Sequence, residues 1–406
     1  MKKYLSYIVT IVVWLAAFYI YLPAVNLNPR TSGWFMAFMA VSGLVINAGR
    51  IIRGIDLRNL RYSFSAGTKG VKIILRAALV FILVYLAGAA ASLPVFRAKD
   101  YSSLMRVENG TFEDDIEEAD FSSIPILDSA SAAILAERKM GTMSDMVSQF
   151  EADDIYSQIN YQGNPVRVSP LKYANLIKWF TNRSNGIPAY IRINMATQST
   201  ELVKLDEGIK YTTSEHLNRN IYRHLRFAHP TYIYGELSFE IDEKGIPYWI
   251  APVKKYNIGL FGGETVGKVV LCNAITGETK TYDIDDVPQW VDRAYSADLL
   301  VQLFDYYGTL KHGFFNSILS QKDCLKTTDG YNYLAQDDDV WMYTGVTSVN
   351  GDQSNVGFVL SNQRTMETKY YKVEGATEAS AMSSAEGQVQ NLKYTATFPL
   401  LLNYIR

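Results

Sequence analysis

The chain has 406 residues, is 48% hydrophobic, and carries 39 Lys and Arg against 41 Asp and Glu, a formal net charge of −2. Its length allows two or three domains, and its near-neutral total excludes the strongly basic balance expected of a nucleic-acid binder. The charge is unevenly spread: residues 1–76 hold ten bases and one acid, net +9, and residues 77–406 hold twenty-nine bases and forty acids, net −11.

Three apolar runs come first. Residues 4–22, "YLSYIVTIVVWLAAFYIYL", contain no charge and at 1.5 Å per residue reach across a hydrocarbon layer of about 30 Å. Residues 34–48 form a shorter uncharged run, and residues 77–96 a third of twenty residues. Lys2 and Lys3 before an apolar stretch also fit a signal peptide, but two further runs follow and no small-residue cleavage pattern precedes Asn26. Between the second and third runs lie Arg50, Arg53, Arg58, Arg61, Lys69, Lys72 and Arg76 against Asp56 alone, while the first loop has only Arg30. Positive loops stay in the cytoplasm. The expectation is three transmembrane helices in a 1–98 membrane domain, with the N-terminus inside and everything after Phe96 extracytoplasmic. Ser42 and Asn47 are almost the only polar residues in the second run, which disfavours a channel.

The acidic remainder argues against nucleic acid and anionic lipid as its partners. "EDDIEEAD" at 113–120 and the Asp337–Asp339 cluster lack the alternating ligands of a calcium loop and read as solvated loops. "SPLKYAN" contains Ser169, Lys172, Tyr173 and Asn175 in an order close to penicillin-recognising enzymes, but no K-T-G follows; an N-cap Ser before Pro170 at a helix start explains it. His216, Asn220 and His224 fit one helical face without a third strong metal ligand. Arg219, Arg223 and Arg226 beside them suggest a basic face docked on the acidic 113–120 stretch. "GGETVGKV" at 262–269 lacks the hydroxyl of a phosphate loop and reads as a hairpin turn. Cys272 and Cys324 leave one bridge or two buried thiols equally open.

The most informative pattern is a repetition. "TGETKTYDI" from Thr276 returns eighty-nine residues later as "TMETKYYKV" from Thr365. Thr276/Thr365, Glu278/Glu367, Lys280/Lys369, Tyr282/Tyr371 and Ile284/Val373 agree on one parity, and in a strand one parity is one face. Each copy follows an apolar strand, "GKVVLCNA" or "GFVLSNQ", and precedes a helical stretch. The first such stretch places Asp285 and Asp286 at an N-cap, Pro288 in the first turn and an apolar stripe of Val287, Val291, Ala294, Ala297, Val301 and Phe304. The second places Met382, Ala385, Val389 and Leu392 likewise. A period of about ninety residues marks duplicated modules. Weaker echoes pair "SIPILDSASAAIL" (123–135) with "DVPQWVDRAYSADLL", "GIPAYIRIN" (186–194) with "GIPYWIAPV" (245–253), and "LKYANLIKWF" (171–180) with "LKYTATFPLL" (392–401). They extend the series to a third, divergent copy. The last pairing leaves the final module without its closing strand, so a truncated sequence is expected.

At "VVLCNAITGETKTYDI" the unit resembles a PepSY-type domain, whose strands end in a similar Thr-Gly-Glu turn and pack on a helix; Met366 departs from it in the second copy. Three spans followed by such units resemble mostly uncharacterised membrane proteins of Gram-positive bacteria, some labelled colicin-V-production-like. The resemblance implies modules that bind or restrain extracellular partners, peptidases among them. The resulting fold class is α+β: three transmembrane helices, then tandem antiparallel-sheet-plus-helix modules at 99–230, 231–322 and 323–406. No catalytic, cofactor or metal residue is assigned, because no G-x-S-x-G, H-E-x-x-H or paired C-x-x-C is present. Glu278, Lys280, Tyr282, Glu367, Lys369 and Tyr371 form the candidate face for a protein or peptide partner. Tyr supplies 28 of the 52 aromatics, which suits half-wet faces. The rival is an extracytoplasmic hydrolase whose site is assembled from dispersed residues.

Overall fold

The computed structural model describes residues 5–26, 28–53, 68–116, 124–349, 354–390 and 393–401. The fold is mixed α+β. Its contacts divide it into one unit of Met1–Leu93, Leu225–Ile233 and Tyr256–Glu264, and a second of Pro94–His224, Tyr234–Lys255 and Thr265–Arg406.

In the first unit the apolar runs become α1 (Leu5–Tyr21), α2 (Pro29–Arg53) and α3 (Thr68–Ala91). Helix α1 stops where Leu22 takes a left-handed φ of 51° before Pro23, and α3 stops short of Pro94, which starts a new helix in a different direction. These breaks shorten the expected spans. No single helix among the described residues is long and apolar enough to cross a membrane; Leu79–Ala91 and Pro94–Ser102 qualify only as a pair, bent by 54°. Much of the apolar surface is nevertheless exposed, including Leu15, Ile20, Val45 and Leu83. Helices α1 and α2 are joined through their few polar groups: Trp14 Nε1 donates to Ser42 Oγ (3.0 Å) and Asn47 Nδ2 to Thr10 Oγ1 (3.1 Å). Two segments distant in sequence complete this unit. Arg226 donates to the Leu22 carbonyl (2.9 Å), Phe227 packs on Phe18, and Ser92 Oγ accepts from the amides of Leu260 and Phe261.

The second unit begins with α4 (Pro94–Ser102), β1 (Val107–Asn109) and α5 (Phe112–Asp115). Three helix-plus-sheet repeats follow, the middle one counting Leu225–Ala228 and residues 256–258 and 262–264 of its elements in the first unit. In the first, α6 (Ser129–Gly141), capped by Asp128, precedes β2 (Phe150–Ala152), β3 (Ser157–Tyr161), β4 (Asn164–Tyr173), α7 (Leu176–Asn182), β5 (Ile187–Asn194) and β6 (Thr200–Ile209). In the second, α8 (Ile221–Ala228) precedes β7 (Ser238–Ile241), β8 (Pro247–Ile258), β9 (Gly262–Asn273) and β10 (Thr279–Asp283). In the third, α9 (Ala297–Leu310) precedes β11 (Leu325–Thr327), β12 (Asn332–Gln336), β13 (Asp339–Ser348), β14 (Ser354–Asn355), β15 (Gly357–Asn362), β16 (Thr368–Tyr371), β17 (Gly375–Ala376) and α10 (Glu378–Gln388).

Each repeat contains the same four-stranded antiparallel meander: β3-β4-β5-β6, β7-β8-β9-β10 and β12-β13-β15-β16. The first and third also pair a short strand, β2 or β11, with the far end of the second strand, where the middle repeat has a single Tyr234–Val253 bridge. Each meander closes through one turn. Asn194, Asn273 and Asn362 accept through Oδ1 from the amides two and three residues on. Thr197, Thr276 and Thr365 accept from the amide two further on. The residue between is left-handed: Gln198 (φ 58°), Gly277 (79°) and Met366 (65°).

The middle copy needs glycine for a second reason, because a Cβ on Gly277 would run into the Tyr211 ring. Gly277→Met, which copies residue 366, is therefore expected to lower stability by about 2–4 kcal/mol. Gln198→Gly at the exposed first copy is expected to raise it by up to about 1 kcal/mol. Thermal unfolding of the two variants should shift in opposite directions.

Several sequence expectations are corrected here. "GIPAYIRIN" lies mainly on the third strand of its meander and "GIPYWIAPV" on the second of its own, so that echo joins non-equivalent strands. The third meander has all four strands before residue 372. Helix α9 starts at Ala297 under a Ser296 cap, eleven residues after Asp286; residues 284–286 form a 3₁₀ turn, and Val287, Val291 and Ala294 are buried from a loop. Helix α10 buries no side chain, and Leu392 lies outside the described residues. Ser169 and Pro170 are on β4, and Asn175 caps the following helix.

Helix α9 lies at the centre of the main core. Its Leu299, Leu300, Leu303 and Phe304 join Ile250, Val266, Val269 and Leu271 of the second sheet to Met342, Val346 and Val359 of the third. Gly308 lets this helix approach β11 so closely that a Cβ would meet the Leu325 carbonyl. On the opposite face of the third sheet, Trp341, Tyr343, Leu360 and Tyr371 cluster with Ile116.

Candidate functional site

Of the six residues of the expected binding face, Lys280, Tyr282, Lys369 and Tyr371 fall on equivalent strands, with Glu278 and Glu367 in the turns just before them, and the surroundings of the two sets are unlike. Strand β10 is an edge of its sheet; Lys280 is exposed with its ammonium 4.6 Å from the Tyr282 ring centroid, and hydrogen bonding to the Tyr282 side chain raises its pKa. Tyr282 turns toward the α9 core, and Glu278 is exposed. Strand β16 is covered by the protein itself. Strand β1 pairs with it in parallel, and Lys369 Nζ binds Asp115 Oδ1 at 2.9 Å and Glu367 at 4.0 Å. Lys369 holds the Asp115 carboxyl below its usual range. Tyr371 is buried, stacked on Phe358 (4.8 Å) and edged by Phe112. The two triplets belong to different sheets, one at an open edge and the other flanked by β1, and do not converge on one face.

The remaining sequence candidates also separate. A 3₁₀ turn at Leu217–Arg219 precedes α8, so His216 and His224 do not share a helix face. His216 packs edgewise on Trp179, His224 hydrogen-bonds the Gly277 carbonyl, and Asn220 donates to the carbonyls of Thr213 and Glu215. Arg219, Arg223 and Arg226 donate to backbone carbonyls of Arg183, Leu217 and Leu22, and residues 117–120 of the acidic stretch expected to face them lie outside the described set. Asp339 is not solvated: it is buried, holds Arg364 with both oxygens (2.7 and 2.8 Å) and accepts from Asn362. Cys272 and Cys324 are free and buried, with the Cys272 thiol pushed up to about 12 by burial. Among the described residues no three His, Cys, Asp or Glu side chains converge as metal ligands.

Two features that no sequence motif marks stand out. The first is a buried pair of carboxyls. Glu240 on β7 accepts from the Ser238 hydroxyl (2.8 Å) and the Asp292 amide (2.9 Å), while Asp292 accepts from the Asn160 amide (2.7 Å) and leaves Oδ1 without a partner. Burial, opposed by these bonds, lifts Glu240 to about 7; burial and then the Glu240 charge raise Asp292 well above the carboxylate range.

The second is a cavity of about 570 Å³, within the size range of small-ligand sites. The loop at 125–129, strands β3, β4 and β12, and residues 397–400 contribute to its lining. At its side Arg167 and Gln158 face each other across the β3–β4 ladder, where the strand register makes them partners. Both are more than nine-tenths buried. The Arg167 guanidinium makes a long bond from Nε to the Leu127 carbonyl (3.4 Å) and has no ion pair among the described residues. Burial pulls its pKa down, countered by Tyr333 and Asp128. Gln158 has no hydrogen-bond partner for either amide atom. Around them stand Tyr156, Tyr331 and Tyr333, with Arg293 turned to Glu236 (3.2 Å). Burial pushes the Tyr156 hydroxyl up to about 12, so at neutral pH it remains a protonated donor. Ile126, Met195, Phe398 and Leu400 supply apolar walls.

This site was hidden because its parts lie up to 275 residues apart, from Pro125 to Leu400, and each looks ordinary alone. The one local signal was Arg167 within the hydrophobic alternation of β4. A cation flanked on a strand by buried residues, as Arg167 is from Pro165 to Leu171, needs a compensating group. No family model matches the chain, and no characterised protein or solved structure shows significant similarity to it, so the geometry alone carries the functional reading.

Proposed function

We propose that the protein is a non-enzymatic, membrane-anchored extracytoplasmic binding protein whose tandem PepSY-like modules engage a protein or peptide partner. The observation that carries this reading is the cavity, furnished with an arginine, an unpartnered amide and tyrosine hydroxyls, which are recognition groups. None of His216, His224, His229 or His312 lines it, so it offers no histidine base to activate Ser129, and the hydrolase alternative loses its most economical site.

The membrane part of the proposal rests on the helices of the first unit. Their exposed Leu, Ile, Val and Phe make a larger apolar surface than a water-facing helix carries. The hydrogen bonds Trp14–Ser42 and Asn47–Thr10 resemble the polar links between lipid-embedded helices. The basic loop before α3 orients the N-terminus inward.

Because both native thiols are buried, Lys280→Cys provides a single exposed reporter. In intact cells a membrane-impermeant maleimide is expected to label this variant fully and the parent only weakly. Labelling that requires permeabilised cells would overturn the extracytoplasmic placement.

A further inference from the structure

We infer that the Arg167–Gln158 cavity captures the C-terminal carboxylate of a peptide; this deepens the binding reading above by naming what the modules hold. The chemistry of the wall selects the ligand. A guanidinium buried without a carboxylate lacks the compensation that such burial normally requires. An anionic ligand supplies it through charge-assisted hydrogen bonds, to which the planar guanidinium is suited.

Gln158 narrows the choice. Its orphaned Nε2 is a donor and its orphaned Oε1 an acceptor, so the complementary ligand must present an acceptor and an N–H donor close together. A peptide terminus does this: its carboxylate accepts from Arg167 and Gln158 Nε2, while its last amide N–H donates to Oε1. A phosphate or a fatty acid offers the anion without that amide.

Charge balance points the same way. Facing the cavity are two cations, Arg167 and Arg293, and one anion, Asp128, whose carboxylate caps α6 by accepting from the Ser131 amide (2.7 Å). Arg293 is already turned to Glu236. A monoanion is therefore favoured over a dianion. The tyrosines and the apolar group of Ile126, Met195, Phe398 and Leu400 take the terminal side chains, and the stated volume accommodates a few residues.

The experiment uses the full chain in detergent micelles, with acetylated tetrapeptide mixtures bearing either free C-termini or C-terminal amides, and sodium decanoate as a carboxylate without an amide. Native mass spectrometry and thermal shift report binding. The free-acid mixture is expected to bind at least tenfold more tightly than the amidated one, and decanoate to compete poorly. Arg167→Gln is expected to abolish the difference. Ile126→Trp, at an exposed residue of the wall, blocks entry without disturbing the buried arginine and controls for misfolding.

Equal binding of both mixtures, or of decanoate and free-acid peptides, overturns the carboxylate-terminus inference while leaving a peptide-binding protein. Binding unaffected by Ile126→Trp also overturns it, by placing the ligand elsewhere. Binding of neither mixture overturns the inference, whereas the placement outside the cell stands or falls separately on the maleimide experiment.

Discussion

Phe304→Ala is expected to remove about 3–5 kcal/mol of stability, the largest effect of any single truncation in α9. Phe304 is fully buried, lies 5.9 Å from the Tyr307 ring and 6.4 Å from that of Tyr370, and belongs to the cluster shared by the second and third sheets. Deleting it leaves a hole that two stiff sheets and a helix cannot readily close, so the cavity cost adds to the lost transfer free energy. Gln302→Ala, on the exposed side of the same helix, is expected to change stability by less than about 0.5 kcal/mol. Chemical denaturation should separate the two clearly. Near-equal effects would mean that α9 does not hold the two sheets together.

The second large effect is a pH dependence centred on Glu240 and Asp292. Both carboxyls have folded-state pKa values raised by burial, so they keep their protons at pH values where the unfolded chain has released them. Their contribution is fully present below the unfolded carboxylate range of about 4 and is lost as pH rises through the raised folded-state values, about 7 for Glu240. For Glu240, lifted from 4.5 to about 7, the loss is on the order of 3 kcal/mol.

Asp292→Asn removes one of the two titrating groups and the like charge beside Glu240. Its amide oxygen keeps the acceptor role toward the Asn160 amide. Relative to the parent, the variant is expected to be unchanged near pH 4 and more stable near pH 8. Unfolding midpoints at pH 4, 6 and 8 measure this, and parallel curves for the two proteins would show that the pair does not titrate together.

How far the sequence could be read depended on whether the physics was local. Parity in "TGETKTYDI" and "TMETKYYKV" reported a strand because alternation is a property of one segment. The repeated turn was legible too: Asn, then Thr three residues on, satisfies its own backbone amides without help from elsewhere. Comparing all three copies required starting at the Asn, since "NMATQST" at 194–200 shares little else with "NAITGET" and "NQRTMET". Helix starts were less legible, because Asp285 and Asp286 are good caps whose helix was displaced by burial of Val287, Val291 and Ala294 from an irregular loop.

By itself, the sequence determined the apolar character of the first hundred residues, the duplicated hairpins and the α+β class, all consequences of spacing within a few turns or strands. Tertiary structure alone decided that β16 is covered by β1 while β10 stays open, that α9 is shared by two sheets, and that Arg167 and Gln158 lie in one cavity wall with Tyr331 and Tyr333. Those outcomes turn on which distant surfaces exclude water together, and the burial free energy that selects them is a property of the assembled fold.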